Sequence, residues 1–372
     1  MRFDCVIVGA GPAGGSAAYH LAKKGRSVLI VDRAKLPRYK PCGGGVAPVV
    51  QEWFDFDFSP AISLKVKQNA FTWKGGDRVQ FDLTDDRTIW MVRREKFDYF
   101  LVQQALAQGA QLQDQTKVTG IEFQQDCWQL KTEGEPLTGR YLIAADGARG
   151  SLSKWLGFKK RKMTSMGALE AEIPVPNSTL HTPHFEFGMV SKGYLWNFPK
   201  ADGYSLGIAT LRHHRRQDFK GILSDYTQQF NVDLSQGSLC GHPIYLWDGN
   251  QKLHTQNAIL AGEAACVVDP FTAEGIRPSM FSGVKAADAI DRALAGDINA
   301  LAQYTEVMST EWGSEMIWAK RLAEVFYRFP KVGYQLGVKS SKGVATMVQT
   351  FTGEKRYSEI ARKGLRRITR LK

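Results

Sequence analysis

Cysteine is scarce in this chain and carries no pattern. The five cysteines, Cys5, Cys42, Cys127, Cys240 and Cys266, lie far apart among 372 residues, with no C-x-x-C pair and no histidine at a matching interval. That spacing argues against a disulfide framework and a structural zinc site, and it fits reduced thiols. Long apolar runs are absent: none approaches the ~20 residues that a membrane-spanning helix needs. In MRFDCVIVGAGPAGG, Asp4 and the early glycines interrupt the apolar core that a secretory signal requires, and only Arg2 precedes it. A cytoplasmic chain is expected. Internal repeats and low-complexity tracts are also lacking. With 43% hydrophobic and 23% charged residues, the composition is that of a globular protein rather than a disordered or fibrous one. The length sets a prior of about two domains. Acids are outnumbered by 49 basic residues to 37, a net charge of +12. Such an excess suits nucleic acid, an anionic membrane surface or an anionic ligand.

The N-terminus reads as a β-α-β unit. Residues 3–8 (FDCVIV) form a short buried strand, GPAGGSAAYHLAKKG a helix, and SVLIVDR a second strand ending at Asp32. A loop rich in Pro, Gly and Lys follows over 37–45, then strand-like alternation around 62–92. A helix is predicted over 93–109, where Phe97, Leu101, Ala105 and Leu106 share a stripe that Gly109 terminates. VTGIEF, CWQLKT and RYLIA read as strands; residues 165–250 are strand-rich and aromatic, with turn signals every ten or so residues. Beyond about 275 the chain reads as mostly helical. The expected architecture is α/β: a nucleotide-binding domain assembled from separated stretches, with a β-rich domain inserted into it.

The strongest local signal is Gly9-Ala10-Gly11-Pro12-Ala13-Gly14, between a predicted strand and a predicted helix. Gly9 allows the tight turn, Gly11 lets the backbone approach a pyrophosphate, and Gly14 lets helix and strand pack closely. The free N–H groups of the helix start face the phosphates. Asp32, eighteen residues after Gly14, is placed to accept hydrogen bonds from the adenosine ribose. Ala18, Leu21, Gly25, Val28 and Val31 all fall in register with that pattern. An ordinary glycine turn in a parallel sheet does not require all of these together.

Three further segments bear on which dinucleotide is held. Arg94, at the start of the 93–109 helix, puts a guanidinium where a pyrophosphate can lie; otherwise it is a surface charge. LIAADGARG ends a strand on Asp146-Gly147, and AILAGEAACVVDPFTAEGI places Glu263 after a strand, then a loop, then a long helix from Gly275. With these the sequence resembles the flavin-binding fold of the para-hydroxybenzoate hydroxylase type, and within it the geranylgeranyl reductase family. The residues that carry the resemblance are VIVGAGPAGGSAAYHLAKKG with Asp32, YKPCGGGV at 39–46, DGARG at 146–150, GYLWNFPKADGYSLGI at 193–208 and DPFTAEGI at 269–276. KPCGG and YLWNFPK are the most specific of the set, since hydroxylases and halogenases share the others.

The resemblance implies a Rossmann-like, three-layer ββα FAD-binding domain over 1–61, 93–164 and 255–300. It also implies a β-rich substrate domain over 62–92 and 165–254, and a helical C-terminal region over 301–372. FAD is expected on Gly9, Gly11, Ala13, Gly14, Asp32 and Arg33 at the adenosine side, and on Arg94 near the pyrophosphate. Cys42, Gly43, Gly44, Asp146 and Gly147 join that site, with a ribityl contact from Glu263. Pro270, Ala273, Glu274, Gly275 and Ile276 are expected to cover the isoalloxazine, where the helix start favours the anionic reduced flavin. Three positions depart from the family: Glu263 stands for the usual aspartate, Ala273 for the usual glycine, and Gly150 where serine is frequent.

The activity implied is hydrogenation of isolated C=C bonds in a prenyl chain. Tyr194, Trp196 and Phe198 alternate on one strand and so share a face, which reads either as a substrate wall or as a core-facing aromatic strand. Cys42 either shuttles a proton, gates the pocket or packs there as a small apolar group. Tyr39 and Tyr194 are the alternative proton sources. NAD(P)H and ferredoxin are equally allowed as electron donor, the latter implying a donor protein as partner. His213-His214 would point to opposite faces of a strand with no third ligand, so no metal is expected. The runs 159–162 and 212–216 bind a diphosphate head or are solvated loops. ARKGLRRITRLK, at 361–372, has six basic residues and an apolar stripe of Ala361, Leu365, Ile368 and Leu371. It reads as a membrane-surface helix or a solvated tail. No RRM, KH or helix-turn-helix pattern supports nucleic acid. Two competing functions share the flavin: a monooxygenase acting on an apolar ring or polyene, and a membrane-docking flavoprotein without turnover.

Overall fold

The computed structural model describes residues 2–83, 88–158, 163–176, 178, 180–211 and 217–362. The basic runs 159–162 and 212–216, His213-His214 and tail residues 363–372 lie outside the described residues.

Arg2–Val8 is apolar along nearly its whole length, as a strand buried on both faces must be. It pairs in parallel with Val28–Val31 on one side and Leu137–Ala144 on the other, in register from Cys5 to Val8 on both sides. Ala258–Leu260 extends the sheet in parallel beyond Leu137–Ala144, and Gln111–Gln113 does so beyond Val28–Val31. The edge strand His254–Thr255, antiparallel to Ala258–Leu260, and an antiparallel lobe of Gly120–Gln124 and Cys127–Lys131 complete this eight-stranded sheet. Three helices pack against it: Pro12–Lys23, Arg94–Ala107 and the long Ile276–Leu294. The first and last of these cross at a point where only glycine fits, because a Cβ on Gly283 would lie 2.2 Å from the carbonyl oxygen of Ala13.

A second, seven-stranded sheet runs in the order Ser238–Leu246, Thr164–Pro174, Gly203–Leu211, Gly193–Lys200, His184–Phe187, Gln68–Trp73 and Gly76–Asp82. It is antiparallel except where His184–Phe187 meets Gln68–Trp73. Of the strand-like alternation at 62–92, Gln68–Trp73 and Gly76–Asp82 join this sheet. Leu64–Val66 and Ile89–Met91 instead form a small sheet with Gly45–Val46. One face of the large sheet buries Ala171, Leu195, Leu206 and Ile208 under Leu223 and Tyr226 of the helix Phe219–Gln228. The opposite face is aromatic, and it meets the helices Ser314–Arg328 and Ser341–Phe351 through Phe187, Phe326 and Val348.

Candidate active site

A cavity of about 530 Å³ extends along the seam between the two sheets, from the glycine turn to the aromatic face. That is ample for a cofactor or a drug-sized ligand. At one end are Gly9, Gly11, Pro12, Ala13, Asp32 and Arg33. The strand–turn geometry has the reasons expected from the sequence. Gly9 has φ +109° and a Cβ on it would lie 2.2 Å from the Ala145 oxygen; a Cβ on Gly14 would lie 1.9 Å from the Gly9 oxygen. The helix Pro12–Lys23 begins with proline and has no side-chain cap, so its first N–H groups are left for a ligand. Asp32 is buried; its carboxylate accepts from the N–H of Ala10 at 2.9 Å and of Ala34 at 3.0 Å, which fixes it at the strand end.

Arg94 is buried and donates both Nε and Nη2 to Asp98, each at 2.8 Å. A second guanidinium, not anticipated from the sequence, stands beside it: Arg38 reaches Asp32 at 3.1 Å and Asp98 at 3.2 Å. A Cβ on Gly11 would meet nothing nearer than Arg38 Nη2 at 3.8 Å and Arg94 Nη2 at 3.9 Å. A side chain there would fill the space between backbone and guanidiniums, and an anionic pyrophosphate suits that space. The residues therefore fit FAD. The signal for Arg38 was the cluster Arg33, Lys35, Arg38 and Lys40 directly after the ribose acid.

Further along, Asp146 is held by the N–H of Leu152 at 3.0 Å, while its buried Oδ1 has no protein partner and burial pushes its carboxyl above the usual carboxylate range. Gly150 has a reason to be glycine, since a Cβ would lie 2.0 Å from the Asp146 carboxyl carbon. Glu263 accepts from the N–H of Tyr245 at 3.2 Å and faces His242 Nε2 at 3.6 Å. Burial works against its charge, yet the His242 hydrogen bond and the Lys40 charge hold it below the usual carboxylate range. Lys40 lies 3.4 Å from His242 and is itself lowered by burial. Asp269 organises the loop over 270–275: one carboxylate oxygen accepts from Phe271 N–H at 2.7 Å and Thr272 N–H at 3.2 Å, the other from the Tyr357 hydroxyl at 2.6 Å. Ala273 adopts φ +59°, the left-handed region that favours the family's glycine. Glu274 is tied to Arg277 through a buried ion pair at 2.9 Å. Gly275 precedes the helix Ile276–Leu294 without a side-chain cap, and Gly275, Ile276 and Ser279 line the cavity.

The loop 41–45 lies against the aromatic face. Cys42 is half-buried and lines the cavity; its N–H donates to Glu170 Oε1 at 2.8 Å. A Cβ on Gly43 would meet the Phe198 ring at 2.8 Å and Trp196 Nε1 at 3.1 Å. The Trp196 indole lies over Gly207, where a Cβ would come within 2.0 Å. Gly44 has φ +70° and its carbonyl accepts from the N–H of Val92 at 2.8 Å. The Lys200 ammonium, buried, donates to the Gly43 carbonyl. Tyr194, Trp196 and Phe198 all line the cavity. The Tyr194 hydroxyl donates to the Thr272 carbonyl at 2.6 Å, and burial makes the phenol a weaker acid than usual. Tyr39, by contrast, is 49% exposed at the cavity edge.

Glu170 escaped the sequence reading. Burial, then the neighbouring Glu172, pushes its carboxyl up to about 8, so it holds a proton at neutral pH. From it a charged chain leads outward. Glu172 is bound by Arg93 at 2.7 Å, and Arg93 by Asp202 at 2.7 Å, whose side chain is 62% exposed. Toward Phe198 the cavity forms a chamber lined by Phe71, Phe185, Phe187, Ile89, Met347 and Phe351. Asn69 also faces it, 2% exposed, with its amide nitrogen lacking a protein partner. Among the described residues no three His, Cys, Asp or Glu are grouped to hold a metal.

Comparison with known proteins bears on the family and the fold. The FAD binding domain family matches residues 2–216. An uncharacterized protein of Methanosarcina barkeri is 33% identical over 80% of this chain and 76% of its own. Digeranylgeranylglycerophospholipid reductase of Methanococcus vannielii is 27% identical over 83% of this chain and 82% of its own. Menaquinone reductase of Mycobacterium tuberculosis is 27% identical over 92% and 88%. Among solved structures, a geranylgeranyl bacteriochlorophyll reductase-like protein of Thermoplasma acidophilum superposes with a TM-score of 0.78 at 22% identity, covering 88% of each chain. A flavin-dependent brominase superposes with a TM-score of 0.76 at 18% identity over the full length of both. These two share the fold. By its sequence match and the cradle around Gly9, Gly11 and Asp32, the chain is a member of the FAD binding domain family and an FAD-dependent oxidoreductase.

Proposed function

We propose that this oxidoreductase reduces isolated C=C bonds of a prenyl, geranylgeranyl-type chain carried on a lipid, a diphosphate or a pigment precursor. One observation carries the reading: the flavin cradle opens directly into an aromatic chamber in which Asn69 is a lone amide among apolar side chains. An isolated alkene has no carbonyl for the protein to polarise, so positioning and exclusion of water are what the chamber must supply. Relatives named digeranylgeranylglycerophospholipid reductase and menaquinone reductase support a polyprenyl substrate.

FAD, when bound and reduced, supplies the hydride. The protein's part is to hold the alkene and deliver a proton to the second carbon. Tyr194 steadies the 270–275 loop through Thr272, while Trp196 and Phe198 brace the Cys42 loop. Glu170 holds a proton beside the Cys42 backbone; Cys42, which lines the cavity, gives its thiol proton to the second carbon and regains one from Glu170. The Glu172 charge beside that acid, itself paired with Arg93, helps keep the proton on Glu170. The Asn69 amide suits an oxygen on the substrate's head.

Dithionite reduction of the flavin-loaded protein under argon, followed by geranylgeranyl diphosphate or a geranylgeranyl lipid, tests this. Flavin reoxidation with a mass gain of one H2 per double bond is expected. Flavin that stays reduced until oxygen enters, then yields an oxygenated product, replaces the reductase with a monooxygenase. Reduced flavin that no substrate reoxidises and no oxygenated product follows points to a carrier without turnover.

A further inference from the structure

The chamber's outer wall has a second apolar side. Val325, Phe329, Val332 and Leu336 are exposed by 65%, 56%, 55% and 72%, and they succeed one another at intervals of four, three and four residues. Between them the chain turns other side chains inward. Phe326 and Tyr327 line the cavity, and Tyr334 is fully buried with its hydroxyl donating to the Asp77 carbonyl at 2.6 Å. The segment from Ser314–Arg328 through Tyr334–Val338 is therefore apolar on both sides, one filled by the chamber and one facing out. A large apolar patch on a soluble protein marks an interaction site.

The charges around it are mostly of one sign. Arg321, Arg328, Lys331, Lys339 and Lys342 are exposed along the same stretch, with Glu324 as the exposed acid among them. The neighbouring strand Gly76–Asp82 adds Asp77, which Lys339 pairs at 2.8 Å, the exposed Arg78 and, at its far end, the exposed Asp82. The Arg328 guanidinium lies 5.8 Å from the Phe329 ring centre, so a cation and an apolar side chain are presented together. Apolar side chains ringed by lysine and arginine match the boundary between acyl chains and anionic headgroups. No helix among the described residues is long and apolar enough to cross a membrane, so the contact is one of surface, not span.

We propose that this face, centred on Phe329 and Leu336, docks the protein on an anionic lipid bilayer. Docking places the chamber wall at the acyl layer, so that an apolar chain passes from bilayer to cavity without crossing water. That second step rests on the prenyl reading above; the docking itself does not.

The test is co-sedimentation of the full-length, flavin-loaded protein with vesicles, which needs no turnover. Binding to phosphatidylcholine–phosphatidylglycerol vesicles and weaker binding to phosphatidylcholine alone are expected. The double variant Phe329→Glu and Leu336→Glu should lose about tenfold or more in vesicle partition. Its flavin content, circular dichroism and turnover of detergent-dispersed substrate should match the parent. Partition equal to the parent's overturns the proposal. So does loss of binding only when Arg366, Arg367 and Arg370 are changed to Gln, which transfers the contact to the tail. A parent dimer that these two glutamates dissociate also overturns it, making the patch a self-interface. If turnover fails while vesicle binding persists, the substrate reading falls and the docking stands.

Discussion

At the residue scale, two side chains make the site's chemistry and conformation separable. Glu170 is the acid held against Cys42, and its protonation in the folded state has a defined sign. Its folded value of about 8 lies above the unfolded 4.5, so its stabilising contribution is full below about pH 4.5 and is lost as pH rises through 8. Glu170→Gln keeps an oxygen for the Cys42 N–H and removes the titration. Urea midpoints of parent and variant should therefore converge at low pH and separate toward pH 8, with the variant the more stable there. Under the proposed chemistry the variant also loses ~10²-fold or more in alkene reduction, as removal of a positioned acid does. Unchanged midpoints and rate would remove Glu170 from this role. Ala273 offers the second case. At φ +59° a methyl group costs about 1 kcal/mol, partly offset by glycine's looser unfolded state. Ala273→Gly should raise the unfolding free energy by up to about 1 kcal/mol in denaturant titration, and a loss would mean that the methyl group's packing outweighs its backbone strain. Ala273 was legible in the sequence as an oddity, because a glycine was expected there. Glu170 was not. On Thr164–Pro174 it alternates with Ala171 and Ile173, and a polar face in such a strand reads as solvent. Here that face lines a cavity, because the Cys42 loop from 128 residues earlier closes over it.

Elements were easier to read than their neighbours. The glycine turn, its helix and Asp32 are local, and each is found in register. The helix predicted over 93–109 is found at Arg94–Ala107. Arg38, Lys200 and Asn69 were missed because their role depends on which distant elements they meet. The crossing of Pro12–Lys23 with Ile276–Leu294 is one such meeting, and Gly283 sets its distance. Gly283→Ala must push the long helix away from Ala13, beside the pyrophosphate cradle. We expect a loss of about 1–3 kcal/mol in stability, typical of overpacking, and a lower flavin-to-protein absorbance ratio after purification. Retention of full flavin at parental stability would show that the crossing is softer than its geometry states.

For the molecule as a whole, acid sensitivity follows from two histidines, the partly buried His20 on the helix Pro12–Lys23 and the buried His184 on the second sheet. His20 and His184 are each pushed down to about 4, first by burial and then by neighbouring cations. His184 bridges Tyr226 at 2.7 Å and Thr72 at 2.9 Å beneath the second sheet. Both must charge on unfolding below their ordinary 6.5. Their contribution is present above that value and lost as pH falls through 4. Tryptophan fluorescence along an acid titration should show stability declining over that interval, and His184→Gln should flatten the decline. An identical slope in the variant would assign acid unfolding elsewhere.

The order of the strands has a further consequence, one of time. Arg2–Val8 is made first, yet it is flanked by Leu137–Ala144, and the sheet is not extended past that strand until Ala258–Leu260 emerges. The cofactor cradle needs Ile276–Leu294 as well, and the chamber wall needs Phe326 through Phe351. A ribosome releasing about 5–20 residues per second thus exposes the glycine turn well before the chain that covers it exists. The second sheet lies almost wholly between these events, from Thr164–Pro174 to Ser238–Leu246, apart from its two early strands. Synthesis therefore completes the segments of the nucleotide end of the cavity before those of the hydrocarbon end.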